Sequence, residues 1–195
     1  EEQANELRKL REQSLERYLD IDKRLSAAGT GAAANAANPQ ADGGDGRPTV
    51  AAPPAQAGGS GAATAEQPGE GEAYRAAYAL VQAQKFDQAI AAFRQFQTDY
   101  PAGKYAPNAY YWLGELYLVV EPADLESSRQ SFMMLLSQYP GNNKVPDALY
   151  KLGKVQFLKG NPEKAREYLD RVIAEYGSTN SSAVKLSRDF IAENY

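Results

Sequence analysis

The chain has 195 residues and a formal net charge of −4, which argues against a nucleic-acid-binding surface. It contains neither cysteine nor histidine. That excludes a disulfide frame and a cysteine metal site, and it removes the commonest general base and metal ligand. No stretch is long and apolar enough to span a membrane as a helix. The lack of cysteine fits an oxidising compartment, and a start at Glu1 rather than Met is expected of a processed or trimmed product whose signal peptide is gone.

Residues 1–25 read as a charged helix. Leu7, Leu10, Ser14, Tyr18, Ile21 and Leu25 step by three, four, four, three and four, a heptad-like stripe with one four-residue stutter. A helix with so narrow an apolar seam is marginal alone. Burying Leu7, Leu10, Tyr18, Ile21 and Leu25 against copies of the same helix would stabilise it, so a coiled-coil oligomer is expected, its strand number left open by the seam. The plain alternative is a solvated helix that frays.

Residues 26–69 contain no Leu, Ile, Met, Phe, Tyr or Trp, and Val50 is their only large aliphatic. Such a composition cannot bury enough apolar surface to offset chain entropy. It reads as a disordered Ala/Gly/Pro-rich linker, with an end-to-end distance of about 35–40 Å by chain statistics.

Residues 70–195 carry the core. Helices are expected near 70–83, 86–99, 106–119, 124–138, 145–158 and 161–175, with a last one near 181–193. Pro101 and Pro140 stop helices, whereas Pro107, Pro146 and Pro162 suit a first turn. Asn161 is a candidate N-cap, and Gly177 a candidate left-handed helix end.

The helices fall into three similar pairs. The sets are Ala76, Ala77 and Leu80 with Phe86, Ala89, Phe93 and Phe96; Tyr110, Leu113, Gly114 and Tyr117 with Phe132; and Leu149, Leu152 and Gly153 with Gly160, Ala165, Leu169 and Val172. These are tetratricopeptide-repeat positions, with large residues where helices interlock and a small one where a pair crosses closely. A mid-helix Gly costs about 1 kcal/mol relative to Ala, and a close crossing at Gly114 and Gly153 would offset that. Tyr100-Pro101 to Tyr139-Pro140 spans 39 residues, more than the usual repeat of about 34. Ser128 stands where Ala is usual. In the last helix, Val184, Leu186, Phe190 and Ile191 are expected inward, and Ser187, Arg188, Asp189 and Glu193 outward.

The sequence carries no GxSxG, Walker or HExxH motif and no cysteine nucleophile. Carboxylates such as Glu115 and Glu121 read as solvated charges on helix faces. The informative constellation is aromatic. Tyr74, Tyr111 and Tyr150 hold the same place in the first helix of each pair, a place that lines the inner face of a stacked array. With Tyr78, Asn108, Glu115 and Lys154 they form a candidate groove for a peptide segment. Val81, Gln82, Leu118, Asp147 and Phe157 flank it. The plain alternative is packing between repeats, whereas Trp112, Tyr110, Tyr117 and Phe132 are expected in the core and not in a site.

The stretch Tyr-Pro-Ala-Gly-Lys-Tyr-Ala-Pro-Asn-Ala-Tyr-Tyr-Trp-Leu-Gly-Glu-Leu-Tyr at 100–117 resembles the C-terminal domain of the CpoB family, also called YbgF. Residues 77–93 and the Arg-Tyr-Leu-Asp-Ile-Asp-Lys-Arg-Leu run at 17–25 share the likeness. The resemblance implies a periplasmic protein of the Gram-negative Tol-Pal system. It implies a trimerising coil and a repeat domain that binds TolA. It further implies a role in coordinating outer-membrane constriction with septal peptidoglycan synthesis in cell division, through a bifunctional penicillin-binding protein. The lengthened second repeat at 119–128 and Gly177 depart from the family pattern.

The expectation is therefore an all-α tetratricopeptide-repeat solenoid of three helix pairs plus a C-terminal helix, preceded by a coiled-coil helix and a disordered linker. Its function would be that of a non-enzymatic scaffold without cofactor, metal, nucleic acid or membrane span. The alternative is an outer-membrane protein assembly repeat lipoprotein of the BamD type. That shares Tyr-Pro-ended repeats but calls for a lipidated cysteine and no coil. A third, a peptidoglycan-active enzyme with repeats attached, needs a catalytic domain that residues 1–69 do not provide.

Overall fold

A computed structural model describes residues 66–195. The expected coil at 1–25 and nearly all of the expected linker lie outside the described residues. The described part is an all-helical tetratricopeptide-repeat region of seven packed helices. These are α1 (Glu70–Gln82), α2 (Phe86–Asp99), α3 (Ala106–Val119), α4 (Leu125–Gln138), α5 (Val145–Leu158), α6 (Pro162–Tyr176) and α7 (Ser182–Asn194). Each helix packs on the next, and α7 also packs on α5.

One pattern builds the core of all three pairs. The second helices bury Ala89, Phe93 and Phe96 in α2, Ser128, Phe132 and Leu135 in α4, and Ala165, Leu169 and Val172 in α6. Each trio steps by four and three residues, one helical face. Fully burying each large member is worth about 1.5–3 kcal/mol. The small first member faces the first helix of its pair. Gly114 meets it in the second pair and Gly153 in the third, and Ala77 is buried at the matching place of α1.

The glycines are there for closeness. A Cβ on Gly114 would sit 2.5 Å from the Phe132 ring, and one on Gly153 would sit 2.9 Å from Leu169. The serine that replaces Ala in α4 is not a packing defect. Ser128 is fully buried, and its hydroxyl donates to the Gly114 carbonyl at 2.7 Å. The close crossing exposes that carbonyl to the hydroxyl and satisfies both groups.

The connections are specified locally. Asp124 caps α4, its Oδ1 accepting from Ser127 N at 2.9 Å and its Oδ2 from Ser127 Oγ at 2.6 Å. These hydrogen bonds from Ser127 hold the Asp124 carboxyl below its ordinary range. Arg129, then Lys159, hold the exposed Glu126 carboxyl well below the usual carboxylate range, linking α4 to the end of α5. The turns after α1 and α5 share one geometry, with Lys85 N bonded to Leu80 O and Asn161 N to Gln156 O, each at 2.9 Å. Their left-handed residues are Gln84 (φ 56) and Gly160 (φ 76).

Glu70 joins the first pair to the second. It is fully buried at the start of α1. One carboxylate oxygen accepts from Gln67 N at 2.9 Å and the other from Tyr105 N at 2.7 Å, 35 residues away. Tyr139 Oη similarly donates to Pro101 O at 2.9 Å, tying the end of one repeat to the end of the previous one.

Three local expectations differ from the structure. Gly177 is right-handed (φ −59, ψ −24). The end of α6 is closed instead by Thr179, whose amide and hydroxyl both donate to the Tyr176 carbonyl. Asn161 makes no side-chain cap. Its amide nitrogen reaches back to Gln156 Oε1 at 3.1 Å, so the side chain braces the turn. Ser187 points inward and is fully buried, because it shares the stripe of Ala183, Val184 and Phe190. Val184 and Phe190 are buried and Leu186 and Ile191 half-buried, while Arg188, Asp189 and Glu193 are exposed.

Candidate functional site

The candidate residues lie on α1, α3 and α5, the first helices of the three pairs. Helical spacing places Tyr74 and Tyr78 together on α1, Asn108, Tyr111 and Glu115 on α3, and Tyr150 and Lys154 on α5. Tyr74 and Asn108 are half-buried. Tyr78, Tyr111, Glu115, Tyr150 and Lys154 are buried, with Tyr111 only 2% exposed and Tyr150 7%. Of the flanking residues, Val81 and Leu118 are buried, Asp147 and Phe157 half-buried and Gln82 exposed.

The three tyrosines have different surroundings. Tyr74 stacks on Tyr105 at a centroid distance of 5.0 Å, and its hydroxyl accepts from Trp112 Nε1 at 3.0 Å. Tyr78 lies 5.3 Å from the Trp112 ring. Tyr111 meets Phe132 edge-on at 5.4 Å, and the Lys144 ammonium stands 5.6 Å from its ring. Lys154 lies 6.0 Å from the Tyr150 ring and 5.4 Å from Phe190 of α7. These distances fall within the range where an ammonium is attracted to a ring face.

Glu115 is not a solvated charge. It is 4% exposed, and its Oε2 accepts from Lys151 Nζ at 2.9 Å. The packing of α5 against the α3–α4 pair takes both groups out of water, so each charge depends on the other. The second oxygen of the carboxylate, Oε1, is buried without a hydrogen-bond partner. An ionised oxygen buried without a donor makes this pair costly to hold and leaves it dependent on Lys151.

Sequence reasoning missed Lys151 and Lys144 as members of this face. Their place on the amphipathic pattern was readable. The offset that brings Lys151 opposite Glu115, 36 residues away, was not. Among the expected core residues, Trp112 and Phe132 are buried, whereas Tyr110 and Tyr117 are half-buried. Among the described residues, no three His, Cys, Asp or Glu side chains cluster as a metal site. No described helix is long and apolar enough to cross a membrane.

Comparison with known proteins agrees with the helical pattern. Tetratricopeptide-repeat family profiles match residues 74–121 and 147–179. The cell division coordinator CpoB of Pseudomonas putida is 41% identical over 122 residues, covering 60% of this chain and 44% of the relative. CpoB of Escherichia coli is 52% identical over 44 residues, covering 22% of this chain and 17% of the relative. The chain thus spans less than half the length of the curated relatives it matches. Over that span, it is a homologue of the CpoB cell division coordinators, and it carries tetratricopeptide repeats.

Proposed function

We propose that the chain acts as a CpoB-like cell division coordinator, a non-enzymatic scaffold that captures a protein partner on the face of α1, α3 and α5. The observation that carries this reading is the 41% identity over 122 residues to a protein named for that process. A repeat domain without enzyme motifs supports it, because stacked helices offer an extended surface rather than a reaction centre. Tyr74, Tyr78, Asn108, Tyr111, Glu115, Tyr150 and Lys154 are the proposed contact residues. The partners that the family resemblance implies are TolA and a bifunctional penicillin-binding protein, in the periplasm. Residues 1–25 would join copies through Leu7, Leu10, Tyr18, Ile21 and Leu25, as trimers by the same resemblance. The reading divides the chain into coil (1–25), linker (26–69) and repeat domain (70–195), and several repeat domains on one coil would raise avidity for clustered partners.

Titration of the full chain with purified TolA tests the reading. Saturable binding is expected, weakened about tenfold by Asn108→Arg, whose bulk and charge would block a hot spot at the half-buried centre of the face, with an unchanged helical signal. No binding by the wild-type chain would remove TolA as the partner. Binding indifferent to Asn108→Arg and to Lys154→Glu would move the contact surface elsewhere. Removing residues 1–25 should reduce the sedimenting species to a monomer, and an unchanged mass would sink the coil.

A further inference from the structure

The chain's whole sulfur content is two adjacent methionines, Met133 and Met134, since it has no cysteine. Both lie on α4, and they are 36% and 39% exposed. Exposed thioethers are nucleophilic, and each can be converted to a sulfoxide. The two sulfurs differ in one respect. The Tyr168 hydroxyl of α6 donates to Met133 Sδ at 3.5 Å, whereas Met134 Sδ has no such donor among the described residues. A donated hydrogen bond draws on the lone pair that an oxidant must attack.

We propose that Met133 and Met134 form an oxidant-accepting site on α4, and that the Tyr168 hydroxyl makes Met134 react first. The oxidant class is a peroxide. The sulfur lone pair attacks one peroxide oxygen, the O–O bond breaks, and an S–O bond forms. Sulfur loses two electrons, and the departing hydroxide of hydrogen peroxide takes the proton from the transferred hydroxyl and leaves as water. The Met134 product exchanges apolar surface for a polar S–O group. The Met133 product offers Tyr168 a better acceptor than the thioether, so the contact between α4 and α6 survives. The exposed face of the repeat is thereby marked without unfolding, and sulfoxide reduction reverses the mark.

The test treats the full chain with hydrogen peroxide and follows each sulfoxide by peptide mass and fragmentation. Met134 sulfoxide should form about threefold faster than Met133 sulfoxide, the effect of a weak hydrogen bond at the low end of the usual net range. Tyr168→Phe should raise the Met133 rate to that of Met134 and leave Met134 unchanged. In urea, where the Tyr168 contact is lost, the wild-type rates should become equal. Equal rates in the folded chain, a Met133 rate indifferent to Tyr168→Phe, or a threefold difference that persists in urea would each overturn the proposal. Loss of the helical signal on oxidation would overturn it as well.

Discussion

The junction between the first and second repeats differs in kind from that between the second and third. The first is aromatic, with Tyr74 and Tyr78 meeting Trp112, and Tyr105 stacked on Tyr74. The second is ionic at its centre, with Lys151 reaching Glu115 across α5 and α3. The secondary structure is the same on both sides, so the repeat pattern does not dictate how neighbours are joined. Aromatic contact degrades gradually when one ring is trimmed. A buried ion pair fails abruptly when one partner goes, because the survivor is left uncompensated.

The largest expected effect breaks the second junction. Lys151→Met should cost about 3–5 kcal/mol in urea unfolding, since it strands the Glu115 carboxylate. The double variant with Glu115→Leu should recover most of that loss. A double variant as unstable as the single one would show that shape, not charge, governs this junction. Gly114→Ala comes next, because it moves α3 and therefore both junctions. A Cβ 2.5 Å from the Phe132 ring should cost about 2 kcal/mol through overpacking. Gly153→Ala meets the more adaptable Leu169 side chain and, at 3.2 Å, the Ala165 carbonyl, so the roughly 1 kcal/mol gained in helix propensity should offset part of the strain and leave a smaller loss than at Gly114. Equal losses in the two alanine variants would contradict the crossing geometry.

Trp112→Phe probes the first junction alone. It removes the Nε1 donor from Tyr74 and keeps most of the ring, so a loss of about 1–2 kcal/mol is expected. A larger loss would make the aromatic junction as brittle as the ionic one. The smallest effect lies outside both. Gln84 holds a left-handed conformation that Gly160 holds at the equivalent turn. Gln84→Gly should therefore stabilise the chain by about 1 kcal/mol, leaving the ionic double-mutant coupling unchanged.

The single helices were more legible in the sequence than either junction. Proline stops, apolar spacing and mid-helix glycines located all seven helices to within a residue at each end, because those signals act within one helix. The trio Ser128, Phe132 and Leu135 could be aligned with its counterparts for the same reason. What crosses between repeats was hidden. Glu115 and Lys151 each look like ordinary helix-face charges until the axial offset of α3 and α5 is known. Ser187 and Asn161 failed similarly, since residue type alone suggested solvent for one and a cap for the other. The burial of Tyr111 and Tyr150 had the same origin. Their register was readable, but not the contacts that surround their rings.

The buried carboxylate of Glu70 has a consequence for the backbone it holds. Tyr105 precedes α3, where an amide would ordinarily exchange its proton with water in a fraction of a second to minutes. Its N–H instead points at Glu70 Oε1 at 2.7 Å. Release of that proton requires the first repeat to part from the second, so the Tyr105 amide should retain deuterium about as long as the interior amides of α3. A single loop amide thus becomes a clock for separation of the two repeats.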